Sequence, residues 1–106
     1  QTAIYLAASP KSNASYLAIK NAKHTVKETG DLQVPLHIRN APTKLMKEIG
    51  YGRNYQYSHN SENNFSEQEY LPEEIGKTKF YDPGDNKREN EIRGRLKTLW
   101  GNKYGY

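Results

Sequence analysis

The sequence predicts an all-α fold, a compact bundle of four to five helices with one long tyrosine-rich loop. Three observations carry this. Ala14, Ala18, Ala22 and Val26 recur every fourth residue, with Ile19 beside them, as one apolar helix stripe. Ile92, Leu96, Leu99 and Trp100 fall at i, i+4, i+7 and i+8, a second such stripe. Between the stripes, Pro and Gly stand where helices start and stop.

In chain order, a first helix runs from Thr2 to Ala8, and Ser9-Pro10 ends it because the residue before proline avoids the α region. Ser12 is the expected N-cap of a second helix reaching Thr29, with Gly30 as the left-handed stop. The alanine spacing makes its stripe narrow enough for another helix to approach closely. Lys20, Lys23 and Lys27 form a separate basic stripe, and Leu17 falls outside the apolar arc.

Val34, Leu36 and Ile38 alternate with Pro35, His37 and Arg39, which reads as a short extended segment. Asn40 is the expected cap of a third helix, with Pro42 in its first turn. Leu45, Met46 and Ile49 form the inner face of that helix, and Gly50 ends it. Residues 51–65 are polar and read as a long loop; loops of that length are functional or mobile. If its first part is extended, Tyr51, Arg53, Tyr55, Tyr57 and His59 share one side. A short helix follows from Pro72 to before Gly76, then an extended Phe80-Tyr81 anchor and a Pro83-Gly84 turn. Asn86 and Glu89 fit a capping-box start for the last helix, in which Glu89–Arg93 and Glu91–Arg95 are i, i+4 pairs. Gly101 closes it, and residues 102–106 are expected to fray.

Composition sets the class. One domain accounts for 106 residues, but only 34% of them are apolar, 26% are charged and mean hydropathy is -1.07. Nine tyrosines against one Trp and two Phe must therefore carry much of the packing. The chain opens on Gln1 and turns apolar at once with Ala3, Ile4 and Leu6, which reads as a piece cut inside a longer protein. No apolar run is long enough to span a membrane. The absence of cysteine excludes disulfide and thiol chemistry and fits a cytoplasmic setting. A formal charge of +4 permits contact with nucleic acid or an acidic tail, and the lysine stripe favours the latter.

Catalytic constellations are missing, so the chain is expected not to be an enzyme in its own right. Gly76-Lys77-Thr78 resembles the end of a phosphate loop, but position 71 is Leu where glycine is needed, and Pro72, Glu73 and Glu74 fill the cradle. His24, His37 and His59 have no metal-ligand spacing, and no Gly-x-Ser-x-Gly occurs. Neither metal nor cofactor is expected in this segment. The Tyr-rich loop with Arg53, Tyr55 and Tyr57, and the last helix with Arg93 and Arg95, could contact single-stranded nucleic acid. The alternative is that the tyrosines complete a thin core while the charges face solvent.

Two blocks carry more than composition. Pro10-Lys11-Ser12-Asn13-Ala14, and the run from Val34 through His37, Arg39, Asn40, Pro42, Lys44 and Tyr51 to Gly52, resemble the C-terminal domain of the replication-associated recombination protein A family. These are AAA+ ATPases related to clamp loaders. Tyr70-Leu71-Pro72-Glu73-Glu74 and Phe80-Tyr81-Asp82-Pro83 are similar to later blocks of the same family, so the likeness spans about Tyr5 to Trp100. One departure is Asn63-Asn64 before Phe65, where the family carries a glycine pair.

The resemblance implies one C-terminal domain over residues 1–106 that follows an ATPase core and lid. It implies assembly of homotetramers through this region. For the parent chain it implies ATP and Mg as cofactors, DNA-stimulated hydrolysis at stalled replication forks, contact with single-stranded-DNA-binding protein, and a cytoplasmic, nucleoid-associated location. His37, Arg39, Asn40, Pro42, Lys44 and Tyr51 are its motif and interface candidates. Physically, His37 and Arg39 could bond loop carbonyls or face a partner subunit; the structural role is the commoner one, because most side-chain hydrogen bonds go to backbone or water.

Overall fold

A computed structural model describes all of residues 1–106 and contains helices and turns without a β-strand. The α-helices are α1 (Thr2–Ala8), α2 (Ala14–Thr29), α3 (Lys44–Ile49) and α4 (Lys87–Trp100), joined by segments that include four single 3-10 turns. The residues group into two compact units: one made of Gln1–Glu28 with Lys79–Tyr106, the other of Thr29–Thr78.

The first unit holds α1, α4 and all but the last residue of α2. Ser9 leaves α1 in an extended conformation, as its place before Pro10 demands, and its hydroxyl donates to Tyr5 O at 2.5 Å. The Ser12 hydroxyl accepts from Ala14 N at 3.1 Å, while Asn13 O takes the first intrahelical bond from Leu17 N at 2.9 Å. The cap therefore sits one residue later than expected. Ala14 is buried and Ala18 and Ala22 are half-buried, but Ile19 and Val26 are exposed, so the inner stripe continues through Thr25. No Cα of α1, α2 or α4 comes within 8 Å of a Cα of another of these helices. Their ends are joined instead through the connecting segments.

Helix α4 starts at a formed cap: Asn86 Oδ1 accepts from Glu89 N at 3.0 Å. Ile92, Leu96, Leu99 and Trp100 are its half-buried face, as the spacing predicts. Neither expected ion pair forms in the expected register. Glu89 turns inward, Arg93 meets Asp82 at 3.1 Å, and Glu91 meets Arg88 at 3.4 Å. Pro83-Gly84 is not a turn: Pro83 is buried, and a Cβ on Gly84 would lie 2.5 Å from Glu89 Oε2. Residues 102–106, where fraying is expected, fold back, and the Tyr106 hydroxyl donates to Tyr81 O at 2.9 Å.

The second unit is built mostly of turns. The Val34–Ile38 segment is not extended: Leu36–Ile38 is a 3-10 turn entered from Pro35 at φ -52, with Ile38 N bonded to Pro35 O and Arg39 N to Leu36 O, both at 3.2 Å. Proline has no N–H to give a strand ladder, and the turn bonds to the Pro35 and Leu36 carbonyls override the alternating pattern. The cap of α3 is Thr43, not Asn40; its hydroxyl accepts from Met46 N at 3.2 Å, which leaves Pro42 just outside the helix. At the other end Gly50 adopts φ +107, and the bonds Gly50 N to Lys47 O and Tyr51 N to Met46 O form a Schellman motif. Leu45 and Ile49 are exposed and Met46 is half-buried, so the expected inner face is largely open.

The loop of residues 51–65 also departs from an extended reading. Residues 51–54 turn, with Asn54 at φ +62, so Tyr51, Arg53, Tyr55, Tyr57 and His59 do not share one side. Asn63 and Asn64 adopt φ +56 and +53. Asparagine tolerates the left-handed region better than other residues with a side chain, so both positions hold without glycine.

Candidate functional site

In the second unit Gln33, Val34 and Tyr51 gather around the Arg39 guanidinium. Arg39 donates from Nε to Val34 O at 2.6 Å, from Nη1 to the Tyr51 hydroxyl at 3.1 Å, and from Nη2 to Gln33 Oε1 at 3.2 Å. It also lies 4.9 Å from the Tyr51 ring centre. The planar fork suits this role: several donors in fixed geometry pin the segment before α3 to Tyr51, just beyond its Gly50 stop. Gly52 completes the closure. Its N–H donates to Leu36 O at 2.7 Å, and at φ +71 a Cβ would sit 3.2 Å from Arg39 O. His37 Nε2 donates to Glu69 O at 2.6 Å, tying this turn to the far end of the loop.

His37 and Arg39 line two clefts. One, of about 580 Å³, has Val34, Leu36, Ile49 and Leu71 as apolar walls, with Arg53, Glu69, Glu73 and Glu74 around them. The other, of about 420 Å³, brings in Asn40, Tyr55 and Tyr70. Tyr57 instead tilts against His59, ring centres 5.1 Å apart. Pro42 and Lys44 are exposed and line neither cleft. Arg93 and Arg95 belong to the first unit, so the five nucleic-acid candidates divide between the units. Arg93 is engaged by Asp82 and the Pro83 carbonyl, whereas Arg95 is exposed.

Two clusters escaped sequence reasoning. Ser66 and Gln68 are buried in the second unit. Gln68 Nε2 donates to Gln56 O at 2.7 Å and to Ser66 Oγ at 2.8 Å, and lies 3.1 Å from the Tyr70 hydroxyl. No periodicity marks such a network. The other is Glu89, 7% exposed in the first unit. Its carboxylate accepts from the Ser12 hydroxyl, the Gly84 N–H, the Tyr81 hydroxyl and Asn86 Nδ2, and these bonds, Ser12 foremost, hold it below the usual glutamate range against desolvation. Desolvation, reinforced by Glu89, pushes the Tyr81 phenol up. Hydrogen bonds from Arg93 and then Lys79 hold Asp82 below the usual range. Desolvation, with Asp82 and Tyr104 adding to it, raises Tyr106. Capping logic placed Ser12 and Glu89 at helix starts but could not tell that they meet.

Gly76-Lys77-Thr78 is a closed turn. Gly76 N is bonded to Glu73 O, Thr78 N and Oγ1 are bonded to Ile75 O, and Lys77 adopts φ +64. Those amides are spent within the chain rather than held for phosphate. No group of three or more His, Asp or Glu is arranged to hold a metal ion. No helix is long and apolar enough to cross a membrane.

The family model described as MgsA AAA+ ATPase C terminal matches residues 1–100. Replication-associated recombination protein A of Escherichia coli (strain K12) is 47% identical over 100 residues, which are 93% of this chain and 22% of that protein. The protein of the same name from Haemophilus influenzae is 45% identical over 100 residues, again 93% of this chain and 22% of that one. ATPase WRNIP1 of Dictyostelium discoideum is 41% identical over 83 residues, 77% of this chain and 10% of that protein. The chain thus spans about a fifth of the length of the bacterial relatives.

Proposed function

We infer the function from one premise: this chain belongs to the MgsA family of AAA+ ATPases, as its C-terminal region. On that premise we propose that residues 1–106 serve as a single assembly and docking domain that joins copies of the parent ATPase, as homotetramers, and presents surface to partners. The parent would bind ATP and Mg and hydrolyse ATP on DNA during replication-fork maintenance, recombination and repair, in the cytoplasm near the nucleoid, with single-stranded-DNA-binding protein as a partner. The names of the relatives support the replication and recombination setting.

The observation that carries the assembly reading is exposed aliphatic surface on helix faces. Ile4 is 74% exposed on α1, Ile19 59% and Val26 64% on α2, and Leu45 65% on α3. Covering a side chain of this kind contributes about 1.5–3 kcal/mol, so a second copy laid on a few of them adds the burial that the thin core lacks. Of the motif candidates, His37, Arg39 and Tyr51 support the reading by closing the turn that presents α3, while Asn40, Pro42 and Lys44 are exposed around it.

Sedimentation equilibrium of the chain at tens of micromolar should give a mass several times 12.2 kDa. Ile19→Asp with Val26→Asp should shift it toward the monomer. A strict monomer at high micromolar concentration sinks the reading.

A second reading, contact with single-stranded nucleic acid, is supported by charge. The first unit has eleven Lys and Arg against five Asp and Glu, and the second has five against seven. Phosphate contact therefore belongs on the first unit, with Arg95 exposed on it, rather than at Arg53, Tyr55 and Tyr57.

A further inference from the structure

The end of the first unit carries aromatic rings interleaved with lysines. Trp100 and Tyr104 meet edge to face, ring centres 5.1 Å apart at 85°, and Tyr106 follows 6.4 Å from Tyr104. Lys103 Nζ lies 4.9 Å from the Trp100 ring centre and 5.3 Å from that of Tyr104. Lys79 Nζ lies 5.3 Å from the Tyr106 ring. The three rings are half-buried.

The segment is held in place. The Tyr106 hydroxyl donates to Tyr81 O at 2.9 Å, and Lys79 Nζ donates to Gly105 O at 3.4 Å. Gly101 at φ +57 and Gly105 at φ +69 allow the chain to double back. None of the sequence-derived contact residues lies in this cluster; aromatic content had pointed to Tyr55 and Tyr57, in the acidic unit.

We propose that Trp100, Tyr104 and Tyr106, with Lys103 and Lys79, form a stacking platform for the bases of single-stranded nucleic acid. This deepens the nucleic-acid reading above and rests on it. A base has a π-face whatever its identity, and stacking on an aromatic side chain is worth about 1–3 kcal/mol per base. Lys103 already occupies the cation position over two rings. A base arriving on a ring displaces its ammonium toward the neighbouring phosphate, so one side chain serves the empty and the filled platform. Arg95 and Lys97, exposed on different sides of the last turns of α4, add positive charge at this end of the unit. Asp82 is the opposing charge nearby, and Lys79 and Arg93 both bond it.

The chain reports on this site itself, because Trp100 is its one tryptophan. The experiment titrates the 106-residue chain at low salt with oligodeoxythymidine and with oligouridine, each about 15 nucleotides long. Trp100 emission and oligonucleotide anisotropy are followed together. The expected result is quenching that tracks binding and weakens as salt is added. Tyr104→Leu should raise Kd about 5-fold or more, Tyr104→Phe should restore it, and Lys103→Gln should reduce the salt slope by about 1. A difference between the two oligonucleotides identifies the sugar preferred.

Binding with unchanged Trp100 emission overturns the platform while leaving the nucleic-acid reading standing. So does binding lost in Tyr55→Leu but kept in Tyr104→Leu. No binding by either probe removes the platform and the broader nucleic-acid reading together.

Discussion

The two units reach order by different routes. The first is basic and strung on the long helices α2 and α4, whose ends are tied by one buried carboxylate. The second is mildly acidic, has one six-residue helix, and buries Ser66 and Gln68. A helix satisfies its own backbone, so the first unit needs long-range bonds only where its connecting segments meet. A run of turns leaves carbonyls and amides open, and in the second unit side chains close them. Arg39, His37 and Gln68 each bond a backbone carbonyl five or more residues away. Polar side chains can thus organise a region where aliphatic residues are scarce, provided their donors and acceptors are met.

The largest expected effect tests the polar route. Gln68→Ala removes both Gln68 bonds to the Gln56 backbone, leaving that carbonyl only the long bond from Ser66 Oγ, and should cost about 1–3 kcal/mol. Hydrogen exchange read residue by residue should show faster exchange across residues 55–70 while the α4 amides keep their protection. Equal loss in both units would break the contrast.

An acid titration comes next, aimed at the first unit. Glu89 and Asp82 have depressed pKa values, so their stabilisation is complete above their ordinary values of 4.5 and 3.8 and is lost as pH falls through the lower folded values. Unfolding followed by Trp100 emission should therefore become easier in that window, and Glu89→Gln should flatten the Glu89 part of the dependence. A curve unchanged by that substitution would remove Glu89 as the tie.

The smallest effects compare the caps. Asn86→Ala should cost about 1 kcal/mol through α4, and Thr43→Ala about 0.5 kcal/mol through the short, exposed α3, both measured by urea unfolding. A larger loss at Thr43 would mean that α3 carries more of the second unit than its exposed Leu45 and Ile49 indicate.

Much of this was legible beforehand. The bounds of α1 and the ends of α2, α3 and α4 follow from Pro10, Gly30, Gly50 and Gly101, because a helix stop is a local backbone event. The inner face of α4 was legible from its spacing, whereas that of α3 was not, since spacing shows which residues align but not whether anything covers them. The motif block pointed to Arg39 and Tyr51, and the structure joins them. The Gln68 network has no periodic signal, since Gln56 meets Ser66 and Gln68 only after the chain has folded back; the rings of Trp100, Tyr104 and Tyr106 stand close together in sequence, but only the fold brings Lys79 and Tyr81 to them.

By itself the sequence determined the helices, their stops, the charge it carries and the family to which it belongs. Tertiary structure alone decided where Glu89 points. An i, i+4 pair with Arg93 is worth about 0.2–0.5 kcal/mol on a helix surface, too little to hold the carboxylate against several simultaneous hydrogen bonds. Ser12, Gly84 and Tyr81 supply those bonds from distant or non-helical positions, so no reading of α4 alone could place it.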